Sequence, residues 1–226
     1  MLSDTSTLCR GRWLRLRSLL AALTGAVVLT ACSATGSTPD AVPPGRASTS
    51  GADERMPAAA RGEAAWLADV SRIYDGFDRG RGAEAWLRQR MAHRRPGERL
   101  AVVLGIDDVM LQTHFRGVDT LLPRSVRFVQ TAHALGYAVF YVTGRSASTG
   151  LGRVEDTLQR AGVPANAFYG RPVGAPNVEA AKAQCRAAIK QQGYTLAMVV
   201  AASEASFDGS PRPEKEIRLP DFALRG

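Results

Sequence analysis

The chain has 226 residues but only three cysteines, three histidines and three lysines (Lys182, Lys190 and Lys215). With so few cysteines it cannot be a small disulfide scaffold, so its core must hold the fold. His93, His114 and His133 stand apart from one another, with no cysteine or carboxylate at metal-ligand spacing; they are expected to be surface or core residues, and no metal is assigned to them. The longest apolar run covers Leu19 to Ala31, about 13 residues against the roughly 20 that a membrane-spanning helix needs. The scarcity of lysine makes the 29 basic residues almost all arginine, and against 21 acidic residues they give a formal net charge of +8. A hydrophobic fraction of 45% excludes a disordered chain, and the length leaves room for one α/β or α+β domain rather than many.

Part of that charge is an address. Arg10, Arg12, Arg15 and Arg17 precede the apolar run, the order of a basic n-region and an h-region. The run ends in Leu29-Thr30-Ala31-Cys32, which resembles a lipobox, the bacterial lipoprotein signal whose cysteine takes up lipid. Residues 1–31 are therefore expected to be a signal peptide and Cys32 the lipidation site, anchoring the chain on the extracytoplasmic face of the plasma or outer membrane. Cleavage there removes a net +3 and leaves +5. It also removes Cys9, so that an acylated Cys32 and Cys185 could form no disulfide within the chain. Residues 32–60 are rich in Ser, Thr, Pro, Gly and Ala and read as a flexible tether. The folded domain is placed at 61–226.

Within it, Glu63 to His93 carries two helical patterns, Trp66, Leu67, Val70, Ile73, Tyr74 and Phe77, then Trp86, Leu87 and Met91. Short apolar runs at 99–106, 138–143 and 195–200 read as strands buried on both faces, with weaker strands near 167–169 and 216–219. Helical stretches at 123–135, 153–161 and 178–192 alternate with them, and Gly136, Gly162 and Gly193 stand just past their ends. Alternation of this kind predicts an α/β domain with a mainly parallel sheet, whose ligand site lies beyond Leu104, Val142 and Val200 at the strands' carboxyl ends.

The stretch after the first strand, Val103-Leu104-Gly105-Ile106-Asp107-Asp108-Val109, resembles the first motif of the haloacid-dehalogenase (HAD) phosphatase superfamily. With Ala138 to Arg145, Lys182 to Thr195 and Ile217 to Pro220, roughly residues 60 to 222 resemble its secreted acid phosphatases, the class B and plant vegetative-storage group. The resemblance implies a three-layer Rossmannoid fold with a helical N-terminal extension and no large cap domain. It also implies a chemistry. One aspartate attacks phosphorus, and a second, two residues on, protonates the leaving group. A hydroxyl and a lysine grip the phosphate, and Mg²⁺ held by further aspartates offsets charge repulsion. By that resemblance Asp107 is the acid/base, and Thr143, Gly144 and Lys182 bind phosphate, with Arg145 adjacent.

The same alignment puts Gly105 where the nucleophile belongs, and Ala202 and Ser206 where the metal-binding aspartates belong; Glu204 and Asp208 are offset by two residues. Glycine cannot form a phosphoenzyme, and loss of the covalent nucleophile costs orders of magnitude in rate. The expectation is a pseudophosphatase without a cofactor, in which Asp107 is vestigial. It would serve as a module that binds a phosphorylated small molecule or an envelope protein, not nucleic acid. The alternative is an active acid phosphatase hydrolysing phosphomonoesters through Asp107 or Asp108 in an altered site. Arg88, Arg90, Arg94, Arg95 and Arg99, the densest charge run, read as a solvated helix end, and Cys185 as a small buried apolar residue.

Overall fold

The computed structural model describes Arg12–Trp13 and residues 58–221. Cys32, most of the expected signal peptide and nearly all of the tether lie outside the described residues. The elements run β1 (Arg12–Trp13), α1 (Ala58–Gly80), α2 (Ala83–Ala92), β2 (Arg99–Leu104), α3 (Thr113–Arg116), α4 (Pro123–Ala134), β3 (Ala138–Ser146), α5 (Gly152–Arg160), β4 (Ala167–Arg171), α6 (Val178–Gln191), β5 (Tyr194–Ala201) and β6 (Lys215–Arg218), with short 3-10 turns at Gly117–Asp119 and Glu204–Ser206.

The sheet order is β1-β4-β3-β2-β5-β6, and every pairing among β2 to β6 is parallel. Only β1 is antiparallel; Arg12 and Trp13 pair with Phe168 and Ala167 at the sheet edge, inside the stretch read as a leader. Strand period two divides the buried residues between two faces. Leu100, Val102 and Leu104 of β2 join a cluster with Trp66, Val70, Tyr74, Leu87, Phe128 and Leu158, so α1, α2, α4 and α5 cover that side. Ala101 and Val103 join Cys185, Ile189 and Phe207, so α6 and the loop after β5 cover the other. This is the three-layer, HAD-like α/β architecture, and it explains why the strands read as continuous apolar runs: a strand buried on both faces has no polar side to alternate with.

The helices end where the glycines foretold, Gly136, Gly162 and Gly193 lying at φ of +92°, +65° and +85°. The helical extension is pinned by charge as well as by packing. Arg124, 7% exposed, donates from Nη2 to Asp75 of α1 at 2.8 Å and from Nη1 to Glu84 of α2 at 2.5 Å, with its guanidinium over the Tyr74 ring. Near its end α1 breaks at Phe77–Arg79, where Asp78 and Arg79 take φ of +48° and +62°. Asp78 accepts there from Lys215 Nζ at 3.1 Å, tying the break to β6. Among the described residues no helix is long and apolar enough to cross a membrane.

Candidate functional site

Because β2, β3 and β5 run parallel and side by side, their carboxyl ends deliver three loops to one place. There they wall a cleft of about 170 Å³ that brings together Gly105, Asp107, Asp108, Thr143, Gly144, Lys182, Ala202 and Ser206. Every site residue predicted within the folded domain is in this cleft.

The floor begins with Gly105, whose N–H donates to the Val200 carbonyl at 2.8 Å and so continues the ladder between β2 and β5. A Cβ built on Gly105 would stand 3.0 Å from Val109 Cγ2, so any side chain here must push Val109 aside by a few tenths of an ångström. After Ile106 the chain turns sharply. The N–H groups of Met110 and Leu111 return to the Ile106 carbonyl at 2.9 and 3.1 Å, and Asp108 sits at the crest with φ +53°, a left-handed conformation that aspartate tolerates better than most residues.

That turn presents Asp107 to Arg145. The guanidinium reaches both carboxylate oxygens, Nε at 3.2 and 3.0 Å, and Nη2 donates to Oδ1 at 2.5 Å. Thr113 Oγ1 donates to Oδ1 at 3.0 Å and Thr143 Oγ1 stands 3.5 Å from Oδ2. Burial by itself would raise the Asp107 pKa, but Arg145 and the two hydroxyls outweigh it and hold the carboxyl below its ordinary value. Asp108 goes the other way. Burial raises it, and the nearby charges of Asp107 and Asp221 add to the rise against a hydrogen bond from the His114 N–H at 2.8 Å.

Lys182 turns inward from α6 and donates to Ser206 Oγ at 2.6 Å; burial lowers its pKa despite Glu179, Asp107 and Asp221 nearby. The loop that carries Ser206 is held by Arg186, one turn further along α6 and 1% exposed, which donates to the carbonyls of Ser206 at 2.5 Å, Pro211 at 3.1 Å and Asp208. Glu204 leaves the cleft to accept from Arg218 Nη2 at 2.6 Å, and Asp208 is exposed, so neither brings a carboxylate into the cleft.

Sequence reading passed over Asp221, Thr113 and Arg186. Asp221 lines the cleft because Trp66 Nε1 of α1 donates to the Pro220 carbonyl at 3.2 Å, drawing the end of the described chain across the strand ends. No spacing rule signals a contact between residues 154 positions apart. The three histidines are exposed and Cys185 is buried, as expected.

A divalent cation at this site would need oxygen donors converging on one point. Asp107 is committed to a guanidinium, Ser206 already accepts from an ammonium, and Ala202 offers nothing, so the residues present do not fit Mg²⁺. Among the described residues no three carboxylate, histidine or cysteine side chains are grouped to hold a metal ion.

Residues 114–223 match the family of the HAD superfamily, subfamily IIIB (Acid phosphatase). The domain is acid-phosphatase-like. The matched stretch is just under half of the chain and contains Thr143, Gly144, Lys182, Ala202, Ser206 and Asp221. It begins beyond Gly105 and Asp107, so the likeness of the first motif rests on the residues themselves and on their place at the end of β2. No curated protein matches the chain.

Proposed function

We propose that this chain is a membrane-anchored extracytoplasmic lipoprotein whose acid-phosphatase-like domain binds a phosphorylated ligand without turning it over. The ligand is a small phosphorylated molecule or a phosphorylated envelope protein. The observation that carries the reading is the fate of Asp107. It is engaged by Arg145 in the cleft, and the position two residues before it is Gly105. A leaving-group acid must carry a proton at working pH, and a carboxyl held below its ordinary value by a guanidinium does not. A nucleophile is missing, and the lysine that would neutralise phosphate lies against a serine hydroxyl.

What remains suits recognition of an anion. The Thr143 hydroxyl, the Gly144 backbone and the Lys182 ammonium face one cleft, and a phosphate entering it would compete with Asp107 for Arg145. Anchoring is supported by the arginine-led apolar run that ends at Cys32.

Hydrolysis of p-nitrophenyl phosphate, with and without Mg²⁺, tests the first half. The protein is expected to give no turnover above buffer. Metal-dependent turnover that disappears in Asp107→Asn would establish the altered-site phosphatase instead. Inorganic phosphate should raise the melting temperature, and Lys182→Ala should abolish the rise. For the anchor, wild-type protein should partition into the detergent phase and incorporate labelled palmitate, and Cys32→Ser should do neither.

A further inference from the structure

At the pole opposite the cleft, the turns that lead into β2, β3 and β4 and the first residues of β2 and β5 border a groove of about 290 Å³. The described residues lining it include none of those that line the phosphate cleft. Arg94, Glu98, Arg99, His133, Asn166 and Tyr194 supply its polar side chains around an apolar base.

Almost all the hydrogen-bonding capacity left in this wall is donor capacity. Glu98 is the only carboxylate among the described residues that line it, and its oxygens are taken. Arg90 donates to Oε1 at 2.6 Å and to Oε2 at 3.2 Å, and the Arg95 N–H donates to Oε2 at 3.0 Å. Asn166 Oδ1 accepts from the Val139 N–H at 2.7 Å, which fixes the amide's orientation and leaves its NH₂ without an acceptor among the described residues. Tyr194 is 7% exposed and its hydroxyl accepts from Arg99 Nη2, so the hydroxyl's own hydrogen is also left without an acceptor among them. Arg99 is held in place by that bond, by the Tyr194 ring 3.9 Å below its guanidinium and by the Gln192 carbonyl at 3.0 Å, with Nε and one hydrogen on each terminal nitrogen unused. The Arg94 guanidinium and the His133 ring make no hydrogen bond or ion pair with any described residue. Because α2 and α4 end here, the helix dipoles account for a cation at Arg94 and a histidine at 133. They do not account for a buried tyrosine O–H and an amide NH₂ in the wall of the same groove.

An occupant suited to this wall carries negative charge and accepts hydrogen bonds from several directions. A carboxylate is planar and offers two oxygens, whereas a terminal phosphate offers three and matches guanidinium forks. The groove stands near the lower limit of volume for small-molecule sites, so it has room for part of the ester as well as for the phosphate. We propose that it is a second phosphate site, which takes the terminal phosphate of a small phosphomonoester or of an anionic lipid. Arg94 and Arg99 supply the charge, and Asn166 Nδ2, the Tyr194 hydroxyl and the His133 ring N–H complete the donors. Nothing in it rests on the cleft or on the reading of Gly105.

The test uses the full chain carrying Cys32→Ser, to remove the expected lipid anchor, and Lys182→Ala, to take the lysine out of the cleft. Calorimetric titration with glycerol 3-phosphate should show one site. Adding Arg94→Gln should weaken binding about tenfold or more, the effect of losing one hydrogen bond between charged groups. Since Arg94 has no partner among the described residues, that variant keeps the fold. Asn166→Asp should weaken binding at least as much, because its carboxylate still accepts from Val139 but replaces a donor with negative charge. Flotation on phosphatidylcholine vesicles with and without phosphatidic acid separates the two sources. Titration without Arg94-dependent flotation assigns the site to a free phosphomonoester, and Arg94-dependent flotation without titration assigns it to a lipid headgroup. Absence of both signals would overturn the proposal, as would binding that Arg94→Gln and Asn166→Asp leave unchanged. Binding of glycerol 3-phosphate that vanishes with Lys182→Ala alone would overturn this site and leave the proposed function standing. Binding that is indifferent to Lys182→Ala and lost with Arg94→Gln would establish this site and remove the phosphate reading of the cleft.

Discussion

At Asp107 two effects of opposite sign compete, and their balance decides what the residue can do. Burial favours the neutral acid, while the Arg145 fork and the hydroxyls of Thr113 and Thr143 favour the anion and prevail. The sign of the pH dependence follows. A carboxyl whose folded pKa lies below its unfolded value of about 3.9 contributes stability that is complete above that pH and is lost as the pH falls through the folded value. Wild-type protein should therefore lose stability below about pH 4 more steeply than Asp107→Asn in denaturant titrations run from pH 6 to pH 3. Because both partners are partly exposed, a double-mutant cycle of Asp107→Asn with Arg145→Met should give a coupling of only about 1 kcal/mol. Its neighbour should behave oppositely. Burial raises the Asp108 pKa, so ionised Asp108 weakens the fold at neutral pH, and acidification through the raised value relieves it. Asp108→Asn should be more stable than wild type at pH 7, with a gain that shrinks toward pH 4; a constant gain would show that its carboxyl is not the cause. At this scale the sequence was informative about identity and silent about partners. Gly105, Ala202 and Ser206 stood out in the sequence because the resembled motifs expect aspartates at that spacing. The Arg145–Asp107 pair spans 38 residues and two strands, and no local pattern encodes it.

Elements were far more legible than contacts, and the reason is physical. Parallel strands buried on both faces are apolar throughout, and each of the helices that follow α3 is bounded by a glycine or a proline, so all five parallel strands and the helices between them stand within a few residues of where hydrophobic pattern and turn residues put them. Four-residue α3 and the two 3-10 turns escaped, being too short to show a period. What joins the elements was invisible. Arg186, embedded in an ordinary amphipathic helix, binds the loop after β5 through backbone carbonyls, an interaction any loop sequence could accept. Arg186→Met would keep the stem's packing but leave carbonyls at 206, 208 and 211 without their donor. A loss of about 3 kcal/mol is expected in urea unfolding, larger than for any single exposed arginine, because an unsatisfied buried acceptor costs about 1–3 kcal/mol. If Arg186→Met costs less than 1 kcal/mol, the loop is held by something else. Arg124→Met, which unties α1 and α2 from α4, provides the comparison on the opposite face of the sheet.

For the molecule as a whole, the family likeness and the folding unit do not have the same boundaries. The match opens at residue 114, yet β2, which ends at Leu104, lies in the middle of the sheet between β3 and β5. A fragment that starts at 114 would keep β3 with β4 and β5 with β6 but lose the strand that joins the two pairs, along with Trp66, Tyr74 and Leu87 of the covering helices. Each such large apolar side chain contributes roughly 1.5–3 kcal/mol by burial, and together with Leu100, Val102, Val103 and Leu104 of the lost strand the sum is about 10–21 kcal/mol, enough to offset the 5–15 kcal/mol by which a domain is ordinarily stable. Residues 114–226 are expected to show no cooperative melting by circular dichroism. A chain starting at 58 keeps both clusters and, among the described residues, loses only the Arg12–Trp13 pairing at the sheet edge. It should melt cooperatively within a few degrees of the full chain. That outcome bears directly on the expected leader: if the body from 58 onward is self-sufficient, cleavage before Cys32 costs the fold nothing, and the +3 carried by residues 1–31 belongs to targeting rather than to the domain. A melting temperature that falls by ten degrees or more would instead make Arg12–Trp13 an integral edge strand and sink the leader reading.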